Sequence, residues 1–223
     1  MSDVTVVYYT SCREKPEFEQ KIRDNLLEKI GDTPIVSVSQ KPIHDFGKNI
    51  CIGDAGVSEF NLYRQLQIGC QNATTKFICT AEADCLYPPT GYFDFKPEDE
   101  TTAYFYSNLY ILWKGKASFK PKGYSLCGLF VNREYLLSRL DKALPAYTTL
   151  PWTVERNKIL DRMFPNYFHR MGFWTMFKND MAIINIKTGD GTRWGTGTYG
   201  EAIKELPYWG SAEELERKLW PSI

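Results

Sequence analysis

Val4-Thr5-Val6-Val7-Tyr8-Tyr9, the break at Thr10-Ser11-Cys12-Arg13, the run from Pro16 to Ile30, and Pro34-Ile35-Val36-Ser37-Val38-Ser39 together decide the fold. The first run is β-branched and aromatic, as a buried strand requires. From Pro16 onward a proline stands near the start, and Phe18, Ile22, Leu26, Leu27 and Ile30 recur at helical spacing on one face. Gly31-Asp32 ends that helix, and the closing run is again short and β-branched. Strand, helix, strand within forty residues is a βαβ unit. Such units build parallel sheets through right-handed crossovers.

Downstream, Lys41 to Val57 reads as a loop with three glycines. Ser58 is placed to cap a helix running to about Asn72, with Phe60, Leu62, Leu66 and Ile68 as its apolar positions. Lys76 to Ala81 predicts a third, central strand that ends in Glu82-Ala83-Asp84. Thr102 to Trp113, Ser125 to Val131 and Met181 to Ile186 read as strands. Asn132 opens a helix to about Leu140, and Trp152 to Met163 reads as another. A glycine-rich segment from Gly189 to Gly200 precedes two short helices. No repeat, low-complexity segment or linker interrupts the chain, so it reads as one domain over residues 1–223.

Composition narrows the functional classes. The 223 residues are enough to bury a sizeable core. Lys+Arg and Asp+Glu are both 27, so no global basic field holds nucleic acid by phosphate contacts alone. Cysteines 12, 51, 70, 79, 85 and 127 show no CxxC spacing and no cluster with histidine, which predicts free thiols in a reducing compartment. Met1-Ser2-Asp3-Val4 lacks a basic region followed by a long apolar run. No stretch approaches the roughly 20 apolar residues that span a bilayer. The expectation is a cytoplasmic protein with no membrane partner.

Glu82 and Asp84 carry the sharpest chemical signal. They stand at i and i+2 beyond a central strand, and ligands of open α/β sheets bind beyond the carboxyl ends of the strands. Two carboxylates there suit a hard divalent cation, since Mg²⁺ takes one or two carboxylates plus substrate phosphates. Such an ion neutralises charge on a departing diphosphate. The plainer alternative is a solvated turn whose acids cap backbone N–H groups.

The segment Lys76-Phe77-Ile78-Cys79-Thr80-Ala81-Glu82-Ala83-Asp84-Cys85-Leu86-Tyr87-Pro88 resembles the acidic motif of the GT-A glycosyltransferases. Asn49 to Ser58, with Asn61 and Arg64-Gln65, is similar to the loop and helix before that motif in small bacterial and phage enzymes related to family 2. Val6 to Ser11 resembles their first strand. The resemblance covers roughly residues 3 to 140. It implies an α/β, GT-A-like (Rossmann-like) fold: a mixed, mostly parallel sheet flanked by helices in a single domain. The nucleotide-binding part would span about 1–90, and the acceptor and closing part about 91–223. It further implies transfer of a sugar from a nucleotide-diphosphate sugar, a UDP-sugar by preference, to a hydroxyl. Mn²⁺ or Mg²⁺ would sit on Asp84 with Glu82, and the nucleotide at Tyr9, Thr10, Ser11, Arg13 and Arg64. Two features depart from the pattern. The first acid is Glu82, not Asp. Many such enzymes also carry a late histidine, whereas this chain has only His44 and His169; its late segment is Asn185-Ile186-Lys187-Thr188-Gly189-Asp190-Gly191.

Gly189-x-Gly191-x-x-x-Gly195 is not a dinucleotide fingerprint, because its third glycine falls one residue late and too little chain follows. It reads as a closing loop with Lys187 and Arg193 as diphosphate partners, or as a plain surface loop. Glu155 and Asp161, on the Trp152 helix, are candidates for the base that takes the acceptor's proton. Gly128 would either admit a sugar or serve packing. Lys114, Lys116, Lys120 and Lys122 alternate and would suit a phosphate backbone, although a solvated loop is the better account of that stretch taken alone. The acceptor expected is a hydroxyl on a hydroxymethylated base of phage DNA, on a small molecule or on a glycan. Two rivals stand beside this reading. A nucleotidyltransferase acting on a sugar phosphate would carry a glycine-rich loop after the first strand, and Tyr9 to Glu14 has no glycine. The other rival is a non-enzymatic nucleotide- or glycan-binding domain.

Overall fold

The structure, a computed structural model, describes residues 3–144, 173–190 and 200–221. Strand β1 (Val4–Thr10), helix α1 (Pro16–Ile30) and strand β2 (Ile35–Ser39) form the expected unit. Helix α1 begins at Pro16 and carries Glu17 and Glu19 in its first turn, where acids complement the helix dipole. It buries Phe18, Ile22, Leu26 and Ile30. Leu27, expected on that face, is exposed. One residue turns a helix by about 100°, and Leu26 already takes the inward position.

The segment read as a loop contains strand β3 (Lys48–Cys51), which extends the sheet in parallel beside β2. Helix α2 (Glu59–Asn72) is capped as expected, with Asn61 N donating to Ser58 Oγ at 2.9 Å. Strand β4 (Phe77–Glu82) then pairs in parallel with the far side of β1. The chain thus steps outward from β1 to β3 and returns across the sheet. With right-handed crossovers, that reversal sends α1 and α2 to opposite faces. The cores agree: Tyr8, Leu26 and Ile30 share one cluster, and Val7, Phe60 and Leu66 another. Helix α2 lies so close that a Cβ added at Gly69 would sit 2.2 Å from Val7 Cγ1. Only glycine permits that approach.

Beyond β4 come strands β9 (Leu129–Asn132), β6 (Thr102–Tyr106) and β10 (Phe173–Phe177). The seven-stranded order is β10-β6-β9-β4-β1-β2-β3, and β9 alone runs against the rest. This is the mixed, mostly parallel sheet that was expected. Helix α3 (Arg133–Ala143), capped by Asn132, covers the α2 face through Leu136 and Leu140.

A second sheet of order β5-β11-β7-β8 comprises β5 (Cys85–Leu86), β11 (Ile183–Lys187), β7 (Leu109–Trp113) and β8 (Phe119–Gly123). Thr102 to Trp113 is therefore two strands in different sheets, broken at Ser107-Asn108. Ser125 to Val131 is a short 3₁₀ turn, Leu126–Gly128, leading into β9. Near the chain end, β12 (Glu205–Leu206) and β13 (Gly210–Ser211) precede a single described helix, α4 (Ala212–Leu219), where two were expected. Leu215 and Leu219 of α4 close a third core with Phe18, Ile22, Leu112, Phe119 and Ile186. The Trp152 to Met163 helix lies outside the described residues. Among the described residues no helix is long and apolar enough to cross a membrane. All six cysteines are free, as expected.

Candidate functional site

The order reverses between β1 and β4, and in open α/β sheets that is where ligands bind. A cleft of about 280 Å³ opens there. Its wall combines Tyr9, Thr10, Ser11 and Arg13 from the end of β1, Ser58, Asn61 and Gln65 from the start of α2, Glu82 and Asp84 from the end of β4, and Lys187 from β11. Seven residues singled out in the sequence thus share one cleft: Tyr9, Thr10, Ser11, Arg13, Glu82, Asp84 and Lys187.

The remaining candidates divide. Arg64 does not line the cleft; its neighbour Gln65 does, and donates from Nε2 to the carbonyls of Thr10 (2.9 Å) and Val38 (3.1 Å) at the ends of β1 and β2. Gly128 is buried, and a Cβ there would lie 3.0 Å from Tyr106 Cβ, so it serves packing rather than substrate approach. Lys114 and Lys122 are not in one basic row. Lys114 Nζ sits 5.2 Å from the Trp220 ring centre, while Lys122 Nζ donates to Asn185 Oδ1 at 3.0 Å. Glu155, Asp161 and Arg193 lie outside the described residues.

Alternation along β1 separates its tyrosines. Tyr8 enters the core edge-on to Phe46, ring centres 4.8 Å apart. Tyr9 turns to the cleft and donates its hydroxyl to Glu82 Oε1 at 2.5 Å. Thr10 Oγ1 accepts from Cys12 N at 2.9 Å and donates to Glu19 Oε1 at 3.3 Å. Arg13 pairs with Asp54 at 2.8 Å on the exposed rim.

The deepest feature is an ion pair. Lys187 Nζ donates to Asp84 Oδ2 at 2.8 Å, with both side chains almost wholly buried. Sheet register sets this contact. Asn185 opposes Cys85 in the antiparallel β11–β5 pair, and Ile186 N donates to Asp84 O at 2.6 Å. Burial alone would push the Asp84 carboxyl up and the Lys187 ammonium down. Their mutual attraction outweighs it, so Asp84 is lowered and Lys187 raised. Glu82 behaves oppositely: burial and then the Asp84 charge push its carboxyl up, against the opposing charge of Lys122.

The sequence reading passed over Glu19, a buried acid that also lines the cleft. Its signal was present: an acid at position 19 lies on the stripe of Ile22, Leu26 and Ile30. Burial pushes its carboxyl up, against the charge of Arg23.

The expected Mn²⁺ or Mg²⁺ on Asp84 and Glu82 meets a donor set that does not suit it. Asp84 Oδ2 already holds an ammonium, and Glu82 Oε1 already holds the Tyr9 hydroxyl. Among the described residues, the metal-ligating atoms that gather with a Glu82 oxygen are the thiols of Cys85 and Cys127, all three within 4.8 Å of one another. Burial pushes the Cys85 thiol well up, which keeps it protonated. Hard divalent cations take oxygens, and one carboxylate with two thiols is not such a shell.

No protein-family model matches the sequence, and no curated protein matches it. Several solved structures are similar in fold. One is a glycosyltransferase involved in the glycosylation of the major capsid of PBCV-1, at 10% identity and a TM-score of 0.48, covering 97% of this chain and 98% of that one. Another is the inositol-1-phosphate CTP transferase from T. maritima, at 12% identity and a TM-score of 0.48, covering 85% and 91%. A third is S. aureus TarS, at 9% identity and a TM-score of 0.49, covering 83% of this chain and 36% of that one.

Proposed function

We propose that this protein is a glycosyltransferase that takes a nucleotide-diphosphate sugar, a UDP-sugar by preference, as donor. The observation that carries the reading is the cleft at the β1–β4 reversal, where the polar end of β1 meets the Asp84–Lys187 pair. The resemblance of residues 76–88 to a glycosyltransferase motif supports it.

In this reading the nucleoside lies over Thr10, Ser11 and Arg13, and the diphosphate points toward Lys187. An acceptor hydroxyl attacks the anomeric carbon of the sugar. The new C–O bond forms as the bond to the diphosphate oxygen breaks, and the nucleoside diphosphate leaves with that electron pair. Lys187 opposes the charge that grows on the leaving group, and a fixed cation in a buried cleft is worth most there. The acceptor's proton passes to a carboxylate, for which Glu155 and Asp161 are the candidates. The acceptor is a hydroxyl of a small molecule, a glycan or a hydroxymethylated DNA base.

Incubation with UDP-, GDP- and TDP-sugars and a panel of these acceptors tests the proposal. Release of nucleoside diphosphate is expected. A nucleotidyltransferase would instead release pyrophosphate from a nucleoside triphosphate and a sugar phosphate. A binding domain would release neither, and either result overturns the assignment.

A further inference from the structure

The cation that Asp84 holds is the side chain of the chain's own Lys187, and it is fixed there by strand pairing. We propose that Lys187 is the permanent positive charge for the donor's diphosphate, so that nucleotide binding in this cleft needs no divalent metal ion. The inference rests on the nucleotide-sugar reading above and deepens it.

Three observations support it together. First, the pair is not a chance surface contact. One backbone bond and one side-chain bond to the same carbonyl bracket it, Ile186 N donating to Asp84 O at 2.6 Å and Asn185 Nδ2 to Asp84 O at 3.4 Å, so β11 cannot slide without breaking them. Second, the ammonium remains usable. A lysine carries three N–H donors, Asp84 takes one, and Lys187 forms part of the cleft wall. Lysine is a well-suited point charge for phosphate oxygens. Third, a second lysine stands behind it. Lys122 of β8 donates to Asn185 Oδ1 at 3.0 Å, which brings two ammonium groups to the acidic end of β4. A divalent ion on Asp84 would have to sit beside these fixed positive charges and share the carboxylate with Lys187. Asp84 then acts as a positioning residue that aims and retains the lysine.

The test is calorimetric titration of the whole protein with UDP, GDP and TDP, in EDTA and again with added Mn²⁺. The proposal expects a nucleotide that binds in EDTA with an affinity changed no more than about twofold by Mn²⁺, within the scatter of such measurements. Lys187→Met should then weaken binding in EDTA by about tenfold or more, the loss of a charge-assisted hydrogen bond. Lys187→Arg should restore part of it. Binding that appears only with Mn²⁺ overturns the proposal and leaves the donor reading standing. So does a folded Lys187→Met variant that binds as tightly as the parent. No binding of any nucleotide in either buffer overturns the donor reading itself. The EDTA comparison uses the unaltered protein, so it decides the question even where a variant does not fold.

Discussion

Tyr9 and Glu82 are register partners across β1 and β4, and the Tyr9 hydroxyl donates to Glu82 Oε1 at 2.5 Å. The floor of the cleft is thus cross-linked at the last rung of the two central strands. Tyr9→Phe deletes that bond and leaves a half-buried carboxylate short of a donor, which should cost about 1–2 kcal/mol in urea unfolding. In a Glu82→Gln background the same change should cost less, because the two residues act as one unit. Equal costs in both backgrounds would show the bond to be energetically idle.

Asp84→Ala is expected to abolish sugar transfer. It should also destabilise the fold, although Asp84 stands beyond the strand end where little packing is lost. Removing it leaves the Lys187 ammonium buried and unpaired, and breaking a buried pair costs about 3–5 kcal/mol. Asp84→Ala/Lys187→Met should recover much of that stability without recovering activity. Thermal unfolding and the nucleoside diphosphate release assay separate the two effects.

Gly69→Ala places a methyl 2.2 Å from Val7 Cγ1. Helix α2 must then lift from the sheet, at about 1–3 kcal/mol for overpacking. Because α2 presents Asn61 and Gln65 to the cleft, nucleotide affinity should fall with stability. Adding Val7→Ala should return part of both. A Gly69→Ala protein with unchanged melting temperature would mean that the sheet yields instead.

Glu19 gives a pH dependence. Burial raises its carboxyl above the ordinary value of 4.5, with Arg23 opposing. A raised folded-state value means that the contribution to stability is complete while the group is protonated, below 4.5, and fades as pH climbs through the raised value. Glu19→Gln removes that dependence. Urea unfolding at about pH 4 and about pH 7 should therefore favour the parent over the variant more at the acid end. The opposite trend would assign the dominant role to the Glu19–Arg23 ion pair, whose N–O distance is 3.5 Å.

The elements legible in the sequence were those whose burial is written in local pattern. β1, β2 and β4 are short, largely β-branched and aromatic runs buried along almost their whole length, and α1 and α2 carry apolar stripes with a proline or serine at the start. The strands missed lie at sheet edges. β3 is Lys-Asn-Ile-Cys, half exposed, and β8 is Phe-Lys-Pro-Lys-Gly with a proline. Edge strands favour lysine and tolerate proline, which makes them read as loops. The cleft was half legible for the same reason. The strand ends and the acids of β4 announce themselves by position in the sequence. Lys187 was expected to meet phosphate, but its bond to Asp84 depends on β11 pairing with β5, which no short-range spacing encodes. Glu19 was overlooked because its helix face was read only for its apolar members.

Lys187 and Asp84 are 103 residues apart in sequence. Closing a loop of that length is entropically slow, and contacts of such separation form after the local ones. A nascent chain with only its first hundred residues outside the ribosome holds β1 to β5 and both acids, with neither Lys122 nor Lys187 yet to meet them. The wall of the cleft is therefore completed by β11, which is synthesised long after the strands that lead to its acids.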